Sequence, residues 1–246
     1  MQTNNKDQII LNVTNKYSSL AKSAESCCGD GYANNSVDYD SRDLLTLIPT
    51  VTDVSAGCGN PLSIKPINSG ETVVDFGSGG GIDCFLAAQQ TGPLGKVFGI
   101  DMTPAMIELA NNNKNKLRVN NVEFIESQID NTTLPSDSVD VILSNCVINL
   151  VPNKPSVFRE AYRILKENGR FQICDIVISA ELPEEALTDS NWCSCLSGAM
   201  VKKDYMKSIH ESGFRTVETV SERIYKPDAE EVWMGSVYSI SILAIK

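Results

Sequence analysis

The segment that most constrains the fold is a short apolar run that passes directly into a glycine turn. Residues 73–76 read Val-Val-Asp-Phe, and Gly-Ser-Gly-Gly-Gly follows before a helical pattern that continues to Ala88. A buried strand, a tight turn and a helix in this order form the first unit of a parallel α/β sheet. Glycine lets the backbone approach a ligand closely, and the helix N-terminus offers free N–H groups. Gly77, Ser78, Gly79 and Gly81 are therefore predicted to bind a cofactor.

The rest of the chain repeats this alternation of strands and helices. Strands are predicted over 72–76, 96–100, 122–125, 139–143 and 170–178, and helices over 104–118 and 155–166, the latter ended by Asn168 and Gly169. Two final strands, 214–224 and 237–245, are expected to form an antiparallel hairpin at the sheet edge. The fold class is therefore α/β, a doubly wound Rossmann-like seven-strand sheet. A helical N-terminal extension (7–24 and 42–48) and a mostly helical insert after strand five (182–212) complete it.

Two units follow from this pattern. Residues 1–65 are expected to hold N-terminal helices and cysteine-bearing loops, and residues 66–246 the cofactor-binding domain. The length of 246 residues suits one large α/β domain with extensions.

Details of the glycine turn indicate which cofactor it accepts. Ile82 stands where a dinucleotide fingerprint has its last glycine, and Asp75 precedes the first glycine. A carboxylate there suits a cationic sulfonium or amino group and would repel a pyrophosphate. Asp101 follows the second strand at the spacing of a ribose-binding carboxylate, and Met102 beside it could pack on an adenine ring. A carboxylate that caps the helix at Pro104 is the alternative for Asp101.

The charge of the chain argues against two classes of partner. Lys and Arg number 21 against 31 Asp and Glu, a formal net charge of −10. An acidic chain gains nothing from releasing phosphate counterions, so neither nucleic acid nor an anionic membrane is expected. The polar N-terminus has no apolar core of a signal peptide, and no apolar run reaches the roughly 20 residues of a membrane span. A cytoplasmic location is expected.

Eight cysteines in such a chain need an explanation. In a reducing compartment they are more often free thiols, metal ligands or redox centres than disulfides. Cys84 and Cys174 lie in apolar patterns and are predicted to be core residues. Cys146 ends strand four, at the sheet edge that faces the ligand crevice of a doubly wound fold, so it is expected beside the cofactor.

Asp75, Gly77, Gly79, Gly81 and Asp101 together resemble the pattern of class I methyltransferases. A more specific resemblance, over roughly residues 20–246, is to the arsenite methyltransferases. It rests on segments at 26–29 (Ser-Cys-Cys-Gly), 57–61 (Gly-Cys-Gly-Asn-Pro), 77–84, 99–103, 144–152 (Ser-Asn-Cys-Val-Ile-Asn-Leu-Val-Pro) and 195–199 (Cys-Leu-Ser-Gly-Ala).

This resemblance implies a site and a reaction. Cys58, Cys146 and Cys195 match the cysteines that bind trivalent arsenic in that family, and Cys27 or Cys28 matches a thiol of exchange and disulfide formation. Its cofactor, S-adenosylmethionine, implies contacts at Asp75, Gly77, Gly79, Asp101, Met102, Ile129, Asp130 and Asn145. The implied small-molecule substrate is arsenite or its thiol conjugate, with a thiol reductant such as thioredoxin or glutathione as co-substrate. Cys193 is an additional thiol without an assigned role.

The chemistry agrees with these residue types. Trivalent arsenic is soft and three-coordinate, and soft centres prefer thiolates. Three sulfurs leave one lone pair free to attack a sulfonium methyl group, so positioning suffices without a general base. Three alternatives remain from the sequence: a methyltransferase for another small molecule such as a quinone precursor, a soft-metal-binding protein without turnover, and a structural zinc site.

Overall fold

The sheet forms as the alternating pattern predicts. The computed structural model describes residues 3–23, 39–52, 57–225 and 231–246. Seven strands lie in the order β3-β2-β1-β4-β5-β8-β7. Their bounds are β1 Thr72–Phe76, β2 Lys96–Asp101, β3 Val122–Glu126, β4 Val139–Asn145, β5 Leu165–Ile178, β7 Thr216–Ile224 and β8 Val237–Ile245. A two-residue strand, β6 Met200–Val201, pairs with the end of β5.

The order of the strands creates the ligand crevice. β1 pairs in parallel with β2 on one side and with β4 on the other. β2 and β3 are therefore added on one side of β1, and β4 and β5 on the other. In open α/β sheets, ligands bind beyond the carboxyl ends of the strands at such a switch point. β8 pairs antiparallel with both β5 and β7, which confirms the predicted final hairpin at the edge.

Helices cover both faces of the sheet. They are α1 Thr3–Ser23, α2 Ser41–Leu44, α3 Pro49–Thr52, α4 Ile82–Thr91, α5 Pro104–Leu117, α6 Lys154–Ile164, α7 Asp189–Cys193 and α8 Lys202–Glu211. Val73 and Val141 pack with α4, whereas Val74 and Ile142 pack with α6 and α8. Successive strand residues point to opposite faces, so the apolar strands feed one core on each side.

The N-terminal helix α1 lies across the open end of this sheet. It packs against α5 and α7. Val13 joins the cluster around the cysteines, and Leu20 contacts Met106 of α5. Its apolar stripe therefore joins the two sides of the crevice.

Two details of the predicted elements were wrong, the end of α6 and the number of strands. α6 ends at Ile164, and Asn168 and Gly169 lie within β5, where Asn168 takes a left-handed conformation beside a shift of register. The segment 182–212 is mostly helical, as predicted, with a 3₁₀ turn (Glu184–Ala186), short α7 and α8, and with β6 between the two helices. Within the described residues the sheet has eight strands instead of the predicted seven, because β6 pairs with the edge of β5 at Val177 and Ile178. In the described residues, no helix is both long and apolar enough to span a membrane.

Candidate functional site: an acidic crevice beside three thiols

A crevice opens at the switch point between β1 and β4, where the glycine turn was predicted to bind a cofactor. Nine of the ten predicted cofactor residues line it. They are Asp75, Gly77, Ser78, Gly79, Asp101, Met102, Ile129, Asp130 and Asn145. Residues scattered over 70 positions of sequence thus meet at one edge of the sheet.

Gly81 is the tenth and does not line the crevice. Its φ of 99° is left-handed, and a Cβ there would lie 2.7 Å from Phe85 and 2.9 Å from Phe124. This glycine is needed for the entry into α4 and for packing of the turn against two rings. Gly77 also has a left-handed φ, of 75°, and the side chain of Val147 leaves no room for a Cβ.

Asp101 connects the glycine turn with the start of α5. Its carboxylate accepts hydrogen bonds from the backbone N–H of Gly79 (3.0 Å) and of Thr103 (2.9 Å). The second contact is with the N-cap residue of α5 itself, and no side chain in the described part of the chain caps the first turn of that helix. Burial raises the pKa of Asp101, and the two N–H groups oppose that rise.

Three carboxylates, two of them buried, give the crevice its electrostatic character. Asp75 is 2% exposed and Asp83 3% exposed, and both line the crevice with Asp101. Burial, with repulsion from Asp83, raises the pKa of Asp75 well above its usual value; burial raises that of Asp83 to about 6. None of the described ion pairs involves these acids. A cationic ligand would relieve the cost of burying like charges together.

The buried hydroxyl of Ser78 supports the same fit, since its Oγ has no hydrogen-bond partner within the described part of the chain. A buried polar atom without a partner costs free energy, which a polar ligand in the crevice would recover. Acids, a free hydroxyl and glycine backbone together suit a ligand with a positive charge, hydroxyl groups and an apolar ring, as S-adenosylmethionine has.

The predicted thiols converge directly beside this crevice. The Sγ atoms of Cys58 and Cys146 and a carboxylate oxygen of Asp175 all lie within 4.8 Å of one another. The Cys195 thiol donates to the carbonyl oxygen of Cys146 at 2.7 Å. Hydrogen bonds with the Cys195 and Cys58 thiols, together with burial, raise the pKa of Cys146 well above its usual value. Of the three, Cys146 alone also lines the crevice, so it joins the thiol cluster to the cofactor side.

Unusual backbone conformations hold two of these cysteines. Cys146 (φ 59°) and Cys195 (φ 65°) are both left-handed, which L-residues seldom adopt outside strained or functional sites. The Cys146 N–H donates to the carbonyl of Cys174 on β5, and the Cys195 N–H donates to the carbonyl of Trp192. The turn after β4 and the turn after α7 thereby aim their side chains toward each other.

Cys58 reaches the cluster from the loop before β1. Its N–H donates to the side-chain oxygen of Asn145 (3.0 Å), and its carbonyl accepts from Ser239 (2.7 Å) and Arg223 (3.1 Å). Strands β4, β7 and β8 therefore all contribute to holding this loop.

Sequence reasoning missed Asp175, the carboxylate among the thiols. It is fully buried and accepts hydrogen bonds from Asn149 (2.8 Å) and Tyr205 (2.9 Å). Burial raises its pKa to about 7, although these partners and the charge of Lys154 lower it. An acid in the centre of the apolar run Ile-Cys-Asp-Ile-Val is the signal that would have found it, since buried strands rarely hold a charge without a purpose.

Helix α1 and Asp83 were also missed as parts of the site, and the Cys58 loop was predicted for the thiol cluster but not for the crevice. Ile10, Val13 and Tyr17 of α1 line the crevice, as do Gly57 and Asp83. The helical spacing of the apolar residues in α1 was visible in the sequence, but it could not say which surface the helix covers.

The other cysteines occupy different surroundings. Cys84 and Cys174 are fully buried, as predicted for core residues. Cys174 nevertheless lies close to the Cys58 loop, because a Cβ on Gly59 would be 2.8 Å from its sulfur. Cys193 is buried in the cluster that contains the three thiols. Cys27 and Cys28 lie outside the described residues.

Comparisons with known proteins agree with the fold and the crevice. A family model described as a methyltransferase domain matches residues 67–213, which is more than half of the chain. An arsenic(III) S-adenosylmethionine methyltransferase from Chlamydomonas reinhardtii superposes with a TM-score of 0.67 at 29% identity, covering 85% of this chain and 71% of that one.

Two curated relatives carry the name arsenite methyltransferase. The protein from Halobacterium salinarum is 39% identical over 224 residues, covering 84% of this chain and 57% of the relative. The protein from Mus musculus is 31% identical over 239 residues, covering 92% of this chain and 63% of the relative. The chain thus spans about three-fifths of the length of these relatives. With the family model, the sheet order and the glycine turn in agreement, the chain belongs to the methyltransferase-domain family.

Proposed function

We propose that this protein transfers the methyl group of S-adenosylmethionine to trivalent arsenic held by Cys58, Cys146 and Cys195. The observation that carries the proposal is the thiol cluster that meets the acidic crevice at Cys146. A methyl donor in the crevice and a thiol-bound acceptor in the cluster would be neighbours, and proximity of reactants is a large part of catalysis. The resemblance to named arsenite methyltransferases supports the same substrate.

The thiols would bind the substrate by exchange. Arsenite, As(OH)₃, reacts with three thiols to give three As–S bonds and three waters, so each thiol proton leaves with one hydroxyl group. Burial and thiol–thiol hydrogen bonds keep Cys146 protonated before binding, and arsenic would replace these hydrogen bonds with bonds to sulfur. Soft sulfur ligands bind trivalent arsenic in preference to hard cations.

Residues of the crevice would hold the donor. Asp101 is suited to bind the ribose, and the backbone of the glycine turn can approach the donor closely. Met102 is suited to pack on the adenine ring, and the carboxylates to attract the positive charges of the donor. When bound, S-adenosylmethionine would supply an electrophilic methyl group that the arsenic lone pair can attack. The chain has then to hold both partners and exclude water, for which buried Cys146 and the apolar face of α1 are suited.

The thiol chemistry also suggests a co-substrate and a location. Methyl transfer uses the arsenic lone pair and leaves the arsenic pentavalent. A thiol reductant such as thioredoxin or glutathione would return the product to the trivalent state and be oxidised to a disulfide. Cys27 or Cys28 is proposed to exchange thiols or form a disulfide in that step, with residues 1–65 as the unit that carries these loops and 66–246 as the catalytic domain. None of the six cysteines in the described residues forms a disulfide, which is in keeping with a reducing cytoplasm.

The test is a methyl-transfer assay with arsenite, methyl-labelled S-adenosylmethionine and a thiol reductant, followed by separation of arsenic species. Labelled methylarsenic species are expected. Arsenite binding without labelled product would favour a binding protein without turnover. Labelled product from a quinone precursor but not from arsenite would favour the other methyltransferase reading, and stoichiometric zinc in the purified protein would favour a structural metal site.

A further inference from the structure

A hydrogen-bonded network of the side chains of Asp83, Tyr39 and Asn145 connects the acidic crevice with the loop that carries Cys58. The Tyr39 hydroxyl donates to the carboxylate of Asp83 at 2.9 Å. The Asn145 side-chain nitrogen donates to the Tyr39 oxygen at 2.9 Å. Tyr39 and Asp83 are 5% and 3% exposed, so water cannot readily replace these partners. Neither residue was singled out by the sequence, and neither belongs to the thiols.

The Asn145 side chain forms hydrogen bonds with two backbone groups of the Cys58 loop. Its side-chain nitrogen donates to the carbonyl of Gly59 at 2.8 Å, and its side-chain oxygen accepts from the N–H of Cys58 at 3.0 Å. The amide has two N–H donors, and Tyr39 and Gly59 use both at normal distances. Rotation of this amide would therefore break contacts on both sides of Cys58. The loop is also pressed against it, because a Cβ on Gly57 would overlap with the Asn145 side chain.

Among these hydrogen-bonded side chains, Asp83 lines the cofactor crevice. Asp75 lines it too, and no described ion pair neutralises either carboxylate. A cation in the crevice would attract the Asp83 carboxylate, which is the acceptor of the Tyr39 hydrogen bond. A ligand shifts a conformational equilibrium only through such a differential interaction.

We propose that Tyr39 and Asp83 are positioning residues that, through Asn145, couple occupancy of the cofactor crevice to the placement of Cys58 in the thiol cluster. The proposal rests on the function proposed above in that it names arsenite as the thiol ligand. Coupling between two sites is reciprocal, so arsenite must tighten cofactor binding by the same factor by which the cofactor tightens arsenite binding.

The first experiment measures this factor in the full chain. Calorimetry gives the dissociation constant of S-adenosylhomocysteine, which keeps the ammonium group and cannot transfer a methyl group, with and without saturating arsenite. We expect arsenite to tighten binding by roughly fivefold or more in the wild type. Tyr39→Phe and Asp83→Asn, which preserve side-chain size, should reduce the factor to below about twofold, with each variant still folded by its melting curve.

Thr91→Val is the matched control. Thr91 is fully buried, and its hydroxyl donates to the Glu71 carbonyl at 2.7 Å, at the far end of α4 from the crevice. It also loses a buried hydroxyl hydrogen bond, and the wild-type factor should persist. A coupling factor that is unchanged in Tyr39→Phe and Asp83→Asn, or reduced equally in Thr91→Val, would overturn the proposal.

A second measurement separates this proposal from the proposed function, because it uses no arsenic. Alkylation of Cys58 by iodoacetamide is followed by peptide mass mapping, with and without S-adenosylhomocysteine. In the wild type, the ligand should change the Cys58 rate severalfold, and in Tyr39→Phe it should not. A wild type that binds no arsenite but shows this change rejects the proposed substrate and keeps the network. Equal changes in wild type and Tyr39→Phe reject the network.

Discussion

The cofactor crevice and the thiol cluster are neighbours, yet the chain builds them in different ways. The crevice consists mainly of residues at or just after the ends of consecutive strands, such as Asp75, the last residue but one of β1, and Asp101, the last residue of β2. The cluster needs a loop before β1, the turn after β4 and the turn after α7, with two cysteines in left-handed conformations. A parallel sheet supplies the first kind of site by its topology, whereas the second depends on how three separate loops pack.

The largest effect should come from the thiols. Cys146→Ser should reduce arsenite methylation to background while S-adenosylmethionine still binds, because a hydroxyl is a hard ligand that soft arsenic does not favour. Cys195→Ser should behave alike. The measurement is methylarsenic production beside calorimetry of the cofactor. Wild-type turnover in Cys146→Ser would contradict the three-thiol site and remove the difference between the two regions.

A substitution between the two regions should come next. Gly57→Ala would place a Cβ on the Asn145 side chain, so the Cys58 loop has to move. We expect methylation to fall by roughly 10–100-fold, as for residues that orient ligands. Gly235→Ala is the control, since nothing lies within 4 Å of a Cβ there and its φ is not left-handed. Similar rates in the two variants would show that the loop position does not matter.

A substitution in the crevice should weaken cofactor binding and leave arsenite binding at the thiol cluster almost unchanged. Asp101→Ala removes the acceptor for the Gly79 and Thr103 N–H groups. S-adenosylmethionine binding should weaken by about 1.5–3 kcal/mol, the usual loss for a hydrogen bond to a charged group. Arsenite affinity, measured by fluorescence titration, should change little. An unchanged cofactor dissociation constant would reject the role of Asp101.

Buried cysteines outside the three-thiol cluster should affect stability rather than chemistry. In Cys84→Ser and Cys174→Ser a hydroxyl replaces a buried thiol, at a cost of about 1–2 kcal/mol. The loss stays moderate because Asp75 and Ser241 lie 3.4 Å and 3.5 Å from the respective sulfurs. A plot of melting temperature against methylation rate should place these variants apart from Cys146→Ser. Loss of methylation without loss of stability in Cys174→Ser would extend the thiol site to β5.

The smallest effect is a dependence on pH. Burial raises the pKa of Asp83 from 3.8 to about 6, so the folded protein binds this proton more tightly than the unfolded chain. Its contribution therefore lowers the free energy of unfolding of the ligand-free protein as pH rises from about 4 through 6. S-adenosylmethionine affinity should rise severalfold over the upper part of this range, as the carboxylate ionises. Asp83→Asn should flatten the affinity profile in calorimetry, and an equally steep profile would assign the titration to another group.

The sequence predicted the sheet, and the glycine turn and Asp101 of the crevice, because their signals are local. The apolar run of β1, the glycine turn and Asp101 each declare themselves within a few residues, and a doubly wound topology brings strand ends together without further information. The cysteines of the cluster came from a resemblance of motifs, since nothing in the spacing of Cys58, Cys146 and Cys195 implies that they meet.

Tertiary structure alone decided the remainder. Asp83, Tyr39 and Asp175 belong to the site because of what packs beside them, and the surface covered by α1 depends on α5 and α7. The end of α6 at Ile164 and the strand β6 follow from pairing with distant strands, which outweighs the local preference of Asn168 and Gly169 for a helix end. Side-chain patterns report what a residue prefers near its own backbone, whereas contacts between distant segments depend on the free energy of the whole packed chain.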